Sequence, residues 1–196
     1  MAYQFKIALR GEFQSKELWE MHQFRAKVFK DRMGWEVPII SGMEIDGYDA
    51  MEPYYLMIRD PIKGLCGCMR ILPTSGPYML KDTFPELLHG HPAPESQKIL
   101  ELSRFAVAAD DQYNFGFSEL TLDLTRELVK FGDRIGIERY IAVTTPSVER
   151  MMRRAGMAVT RFGPPIRIGV ENTVAIDFDI GEQTHEALFG KMPKAA

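Results

Sequence analysis

The run Lys98-Ile-Leu-Glu-Leu-Ser-Arg-Phe-Ala-Val107 limits the fold more than any other stretch of this chain. It is apolar and β-prone, yet it carries an acid, a hydroxyl and a guanidinium at its centre. Strand alternation places Ile99, Glu101, Ser103 and Phe105 on one face, and Leu100, Leu102, Arg104 and Ala106 on the other. Charge buried in such a strand is costly unless it is paired or used in chemistry. Two readings stay open from these residues alone: a structural ion-pair strand, or a catalytic strand at the floor of a cleft.

The rest of the chain builds around that strand. Gln4 to Leu9 reads as a first strand. Lys16 to Asp31 carries Leu18, Met21, Phe24 and Val28 at helical spacing, with Ser15 as its cap. Arg25 and Phe29 are i,i+4 neighbours on that helix and suit a ligand with a carboxylate and a flat ring. The irregular stretch Met33 to Pro53 holds Trp35 and the acids Glu44, Asp46, Asp49 and Glu52, alternating with Met43, Ile45 and Tyr48. That alternation predicts a loop that packs. Tyr54 to Arg59 and Leu65 to Leu72 read as a hairpin, and Arg70 within it calls for an acid from the Asp46/Asp49 loop.

Pro73 to Pro94 is rich in proline and predicts a partly helical excursion. Phe117, Leu120, Leu124, Leu128, Phe131 and Ile135 form one apolar stripe of a long helix. Arg139 to Thr144 is a strand that runs into Pro146, the first turn of a helix reaching Gly156. On that helix Val148, Met151, Met152 and Ala155 face inward, and Arg150, Arg153 and Arg154 face outward. Met157 to Phe162, Ile166 to Val170 and Val174 to Ile180 read as strands, and the tail after Gly190 as frayed. This order indicates a single α/β (α+β) domain over residues 1–196, a mixed sheet with helices on both sides.

The formal net charge of -3 argues against a general nucleic-acid binder. Cys66 and Cys68 are too few for a disulfide framework and read as small buried thiols. No apolar run is long enough for a signal peptide or a membrane span, so a cytoplasmic location is expected, with no membrane insertion. The sequence holds no P-loop, dinucleotide fingerprint, nucleophile elbow or zincin motif. His89 and His91 lie in a Pro/Gly loop as exposed residues, and no metal role is expected.

The ordered set Arg25…Phe29…Trp35, Glu44-Ile-Asp46-Gly-Tyr-Asp49, Gly67-Cys-Met-Arg70, Phe84-Pro-Glu-Leu and Glu101-Leu-Ser-Arg-Phe105 resembles the acyl-homoserine-lactone synthases, the quorum-sensing autoinducer synthase family. The resemblance runs from about Phe5 to Leu188. Met43 to Ala50 and Gly76 to Gly90 are most similar to its Las-type branch, which makes long-chain 3-oxoacyl products. The resemblance implies a fold related to the GCN5-type N-acetyltransferases, with a mostly antiparallel sheet. It also implies S-adenosylmethionine as a substrate, an acylated carrier protein as partner, and no cofactor.

By the same resemblance, Glu101 would be the general base, with Ser103 and Arg104 completing the catalytic strand. Arg25, Phe29, Trp35, Asp46, Asp49, Arg70 and Phe105 would form the S-adenosylmethionine pocket. An acyl-chain pocket would draw on Met79, Phe84, Leu102, Leu122, Thr144, Thr145, Met151 and Met152, with Met157 and Leu188 as further candidates. Thr144 would hydrogen-bond a 3-oxo group. Arg150, Arg153 and Arg154 would dock the acidic carrier. The competing readings are an N-acyltransferase using acyl-CoA on another small amine, and a non-enzymatic ligand-binding domain.

Overall fold

In a computed structural model, residues 3–108 and 119–190 are described. The chain divides into two units, Met1–Leu72 with Leu102–Gln112, and Pro73–Glu101 with Tyr113–Ala196. Phe117 and the segment after Gly190 lie outside the described residues. The architecture is mixed α/β, as the element order predicts, with mostly antiparallel strands, as the resemblance implies.

In the first unit the chain runs through β1 (Gln4–Leu9), α1 (Ser15–Ala26), the short strands β2 (Ile39–Ile40) and β3 (Met43–Glu44), then β4 (Tyr54–Asp60) and β5 (Gly64–Pro73). β4 pairs antiparallel with β1 on one side and β5 on the other. The β4–β5 turn follows from its sequence. Asp60 Oδ1 accepts the N–H groups of Ile62 and Lys63 at 2.8 and 2.9 Å, and Gly64 supplies a φ of 80°. Met21, Phe29, Tyr55, Met57, Cys68 and Ala106 are buried together in the core of this unit. Both cysteines are free and buried, and burial pushes the Cys68 thiol up to about 12.

Two details of α1 differ from the sequence reading. Its cap is Gln14, whose N–H is held by Glu17 Oε2 at 2.9 Å, and Ser15 is already inside the helix. The helix also does not run unbroken to Asp31, because Lys27–Arg32 forms a π-helical turn. There the N–H of Met33 reaches back five residues to Val28 O at 3.0 Å. Such turns widen a helix and frequently mark functional sites.

β6 (Ile99–Val107) starts in the second unit and ends in the first. The second unit also holds the short α2 (Met79–Asp82), α3 (Glu119–Ile135), β7 (Arg139–Thr144), α4 (Pro146–Arg154), β8 (Ala158–Arg161), β9 (Ile166–Ile168), β10 (Glu171–Asp179) and α5 (Glu182–Phe189). β10 pairs antiparallel with β7, β8 and β9. The α3 stripe is buried at Leu120, Leu124, Leu128 and Phe131, but Ile135 is exposed. Tyr140 of β7 donates to Leu128 O at 2.7 Å and fixes that strand against α3. The helix α5 was not legible in the sequence, and β10 begins three residues earlier than its apolar run. Among the described residues no helix is long and apolar enough to cross a membrane.

Candidate active site

The acidic loop of the first unit packs, and it does so around arginines. Arg25 Nε donates to Glu44 Oε2 at 2.5 Å, and its two terminal nitrogens grip Asp49 at 2.8 and 3.0 Å. Arg70 grips Asp46 at 2.5 and 3.1 Å and lies 3.1 Å from Asp49. Arg104 donates to Glu44 at 3.0 Å and to Asp46 at 2.8 Å. The six charges therefore close a ring in which every arginine bridges two carboxylates and every carboxylate bridges two arginines. The sequence expectation that the Asp46/Asp49 loop supplies Arg70 with acids is met.

Burial makes this alternation necessary. Arg25 and Arg70 are only 1% and 0% exposed, and an unpaired charge at that depth would be strongly destabilising. Burial works against the charge on Arg25, but Asp49 and Glu44 overcome it and raise the pKa. Burial likewise works against the Asp49 carboxylate, yet Arg25 and Arg70 hold it well below the usual range. Tyr55 donates to Asp49 Oδ1 at 2.6 Å, and its hydroxyl is pushed up by burial and then by that carboxylate.

Glu44 is the member that sequence reasoning did not assign to the site. It is fully buried, bridges Arg25 and Arg104, and offers its backbone carbonyl to His22 at 2.9 Å. Its sequence signals were its place among the acids of the packing loop and at the head of the Glu44-Ile-Asp46-Gly-Tyr-Asp49 run.

Arg104 corrects the two-faced reading of β6. Its φ is +53°, left-handed backbone within a strand. Alternation breaks at that residue, so Arg104 and Ser103 join the same network instead of pointing to opposite faces. Ser103 Oγ accepts from Arg70 Nε at 3.1 Å. Phe29 and Trp35 stack at 5.2 Å with planes 11° apart, and the Arg104 guanidinium lies 5.8 Å from the Phe29 ring centre. Phe29 is buried, whereas Trp35 and Phe105 are half-buried. Arg25 and Phe29 are thus interior groups. Trp35, Ser103, Phe105, Asp46 and Arg104 keep partial exposure.

In the second unit, Glu101 is buried, and its two oxygens accept the N–H groups of Met79 and Leu80 at 2.8 and 2.6 Å. It therefore anchors the first turn of α2. Leu122, Met151 and Met157 line a cavity of about 10 Å³ together with Thr121, Thr125 and Ala155. That is room for about one water molecule, so any acyl chain there must displace side chains. Met79, Phe84, Thr144, Thr145, Met152 and Leu188 do not line it. Leu102 falls in the first unit.

On α4, Arg150, Arg153 and Arg154 are exposed as expected, but the helix's buried face is led by Glu149. Glu149 accepts from Arg153 Nε at 3.0 Å and from Arg161 Nε at 2.8 Å. Burial alone would raise its pKa, and those two arginines lower it instead. Of the three exposed arginines, Arg153 is thus already paired. His89 is exposed yet ordered by Pro164 O at 2.9 Å from Nε2, with no room for a Cβ on Gly163 beneath its ring.

A family model described as autoinducer synthase matches residues 10–188. An acyl-homoserine-lactone synthase of Pseudomonas aeruginosa is 50% identical over 187 residues, covering 94% of this chain and 93% of the relative. The chain belongs to the autoinducer synthase family. Its activity is that of an acyl-homoserine-lactone synthase, an acyltransferase. The crystal structure of the synthase LasI superposes with a TM-score of 0.91 at 48% identity, covering 100% of this chain and 98% of that one. TofI, in a ternary complex with an inhibitor and MTA, gives 0.82 at 35% identity over 94% and 96% of the two chains. BjaI, a CoA-dependent acyl-homoserine-lactone synthase with SAM and isopentyl-CoA, gives 0.84 at 25% identity over 95% and 88%. Outside autoinducer synthases, an acyl-CoA N-acyltransferase of Pseudomonas aeruginosa shares the fold at a TM-score of 0.61 and 11% identity, over 90% and 99% of the two chains.

Proposed function

We propose that this synthase acylates the amine of S-adenosylmethionine with a long-chain 3-oxoacyl group from acyl carrier protein and then closes the lactone, releasing 5'-methylthioadenosine. The observation that carries the substrate reading is the stacked Phe29–Trp35 pair beside Arg104: a flat ring surface next to a cation suits an adenosyl group and an α-carboxylate. The MTA held by TofI and the SAM held by BjaI support it. Asp46, Asp49, Arg25 and Arg70 would set the positions of Arg104 and Ser103, and Phe105 would line the same pocket. Residues 1–196 would act as one synthase domain, in the cytoplasm, without a further cofactor.

The amine must lose a proton before it attacks. Glu101 is read as the base, acting through a water, since a carboxylate offers about four lone-pair sites and can accept from α2 and from water together. The amine nitrogen attacks the thioester carbonyl, the thiol leaves with a proton, and an amide forms. The substrate carboxylate oxygen then attacks its own γ-carbon, breaking the carbon–sulfur bond. Because a sulfonium is already a good leaving group, holding the carboxylate in line is the main task left to the protein.

The carrier-protein reading rests on Arg150 and Arg154, exposed cations with no ion pair among the described residues, and on the absence of a glycine-rich pyrophosphate loop from the sequence. Thr144 would hydrogen-bond the 3-oxo group, with Thr145, Met79, Phe84, Leu102, Leu122, Met151 and Met152 along the acyl chain. Acyl-CoA as donor is the second reading, favoured by the likeness to BjaI. Purified protein given S-adenosylmethionine with either 3-oxoacyl carrier protein or the matching acyl-CoA decides between them by mass spectrometry of the lactone. Faster turnover with the CoA thioester would overturn the donor assignment, and acylation without methylthioadenosine release would overturn the substrate.

A further inference from the structure

A groove of about 400 Å³ runs beside α1 in the first unit, within the usual range for a small-molecule site. Leu18, Trp19, Met43 and Ile45 give it apolar walls, and the half-exposed Trp19 contributes a large ring. Phe29, Trp35, Ser103 and Arg104 do not line it, so it adjoins the candidate substrate pocket at the acidic loop without coinciding with it. Asp46 and Asp49 reach it as well, but their oxygens are engaged by arginines.

Arg10, whose guanidinium pairs with Glu52, and the exposed Ser15 also line the groove, and its buried polar anchor is His22. It lines the groove and is 6% exposed. Its Nδ1 lies 2.9 Å from the Glu44 backbone oxygen, and a carbonyl can only accept, so Nδ1 carries the proton. Burial, and then the charge on Arg25, lower its pKa and keep the ring neutral. Nε2 is left as a bare acceptor, with no partner among the described residues. No fully buried side-chain nitrogen or oxygen among those residues is orphaned, so Nε2 keeps some accessible surface, and the groove is the space that His22 lines.

We propose that this groove is a second ligand site, for a small neutral molecule with a flat apolar body and one N–H or O–H donor. The body packs on Trp19 and its apolar neighbours, and the donor bonds to His22 Nε2. Such a ligand would lie against Asp46 and Asp49, which also hold the arginines of the charge ring. The site stands independently of the substrate and donor assigned above.

Indole and 1-methylindole are a matched pair of probes, since methylation removes the donor and leaves the flat body. Each is titrated into the full chain labelled with nitrogen-15 at histidine. Indole should bind about fivefold tighter than 1-methylindole, the advantage expected of one neutral hydrogen bond, and should move the His22 Nε2 resonance. His22→Leu should bring the two affinities together. Trp19→Ala, at a half-exposed position that cannot upset the core, should weaken both probes. Equal affinities in the unsubstituted protein, an unmoved Nε2 signal on indole binding, or full binding by Trp19→Ala would overturn the proposal, even if His22→Leu failed to fold.

Discussion

The closed ring of three arginines and three carboxylates makes a prediction that isolated ion pairs would not. Arg70→Met removes a cation that is 0% exposed and held by Asp46, Asp49 and Ser103. The volume is nearly kept, so the loss is electrostatic: a net negative charge is stranded in the interior. Breaking a buried pair from one side costs about 3–5 kcal/mol. For a chain of this size that corresponds to a fall in melting temperature of roughly 6–20 °C. Asp46→Asn alone strands a net positive charge and should cost a similar amount. The double variant restores neutrality, because two arginines and two carboxylates remain linked through Glu44, Asp49, Arg25 and Arg104. Its loss should therefore fall short of the sum of the singles by about 1–3 kcal/mol. Urea unfolding of all four proteins at neutral pH measures this coupling. Additivity within about 0.5 kcal/mol would refute the ring as a unit and leave the charges as independent pairs.

Three further outcomes follow from the same contacts. Trp35→Ala should raise the apparent KM for S-adenosylmethionine by about tenfold, the loss of roughly 1.4 kcal/mol of stacking, with a smaller change in kcat. Steady-state kinetics with the carrier substrate saturating would check it. Charge reversal at Arg150 and Arg154 should raise the KM for acyl carrier protein and steepen nothing else, whereas reversal at Arg153 should also destabilise the fold through Glu149. His22 gives the pH dependence. Its folded pKa is lowered from 6.5, so below that value the unfolded chain binds more protons than the folded one. Its contribution is thus complete above pH 6.5 and declines as pH falls, and His22→Asn should flatten the drop in urea midpoint between pH 7 and 5.

Much of the fold was legible because side-chain period reports burial directly. The hairpin of β4 and β5 lies within about a residue of its apolar alternation, and the stripe from Leu120 to Phe131 is the buried face of α3. What escaped was structure whose signal is not apolar period. The π-helical turn at Lys27–Arg32 changes a hydrogen-bond register, and Val28 and Phe29 stay buried either way. In α5 only Thr184 and Leu188 are buried, too sparse a pattern to separate from a loop. β10 starts at Glu171 because its first residues pair with β9, an edge contact that needs backbone groups and no apolar side chains.

The site was legible in its members more than in its arrangement. A strand with an acid, a hydroxyl and an arginine announces that charge is being buried, and an acidic loop interleaved with Met43, Ile45 and Tyr48 announces a partner for it. Composition cannot show that the two close into a ring, because closure depends on one dihedral. At Arg104 left-handed backbone costs about 1–3 kcal/mol for a residue with a Cβ. It persists because the turned side chain reaches both Glu44 and Asp46. Were the strand regular at that residue, Glu44 would keep Arg25 alone, and Asp46 would keep Arg70 alone. The buried Glu44 and the largely shielded Asp46 would each lose half their compensation, a larger cost than the backbone strain. Strand alternation fails at the residue where the electrostatic demand exceeds it, next to the hydroxyl and the stacked rings that a substrate would meet.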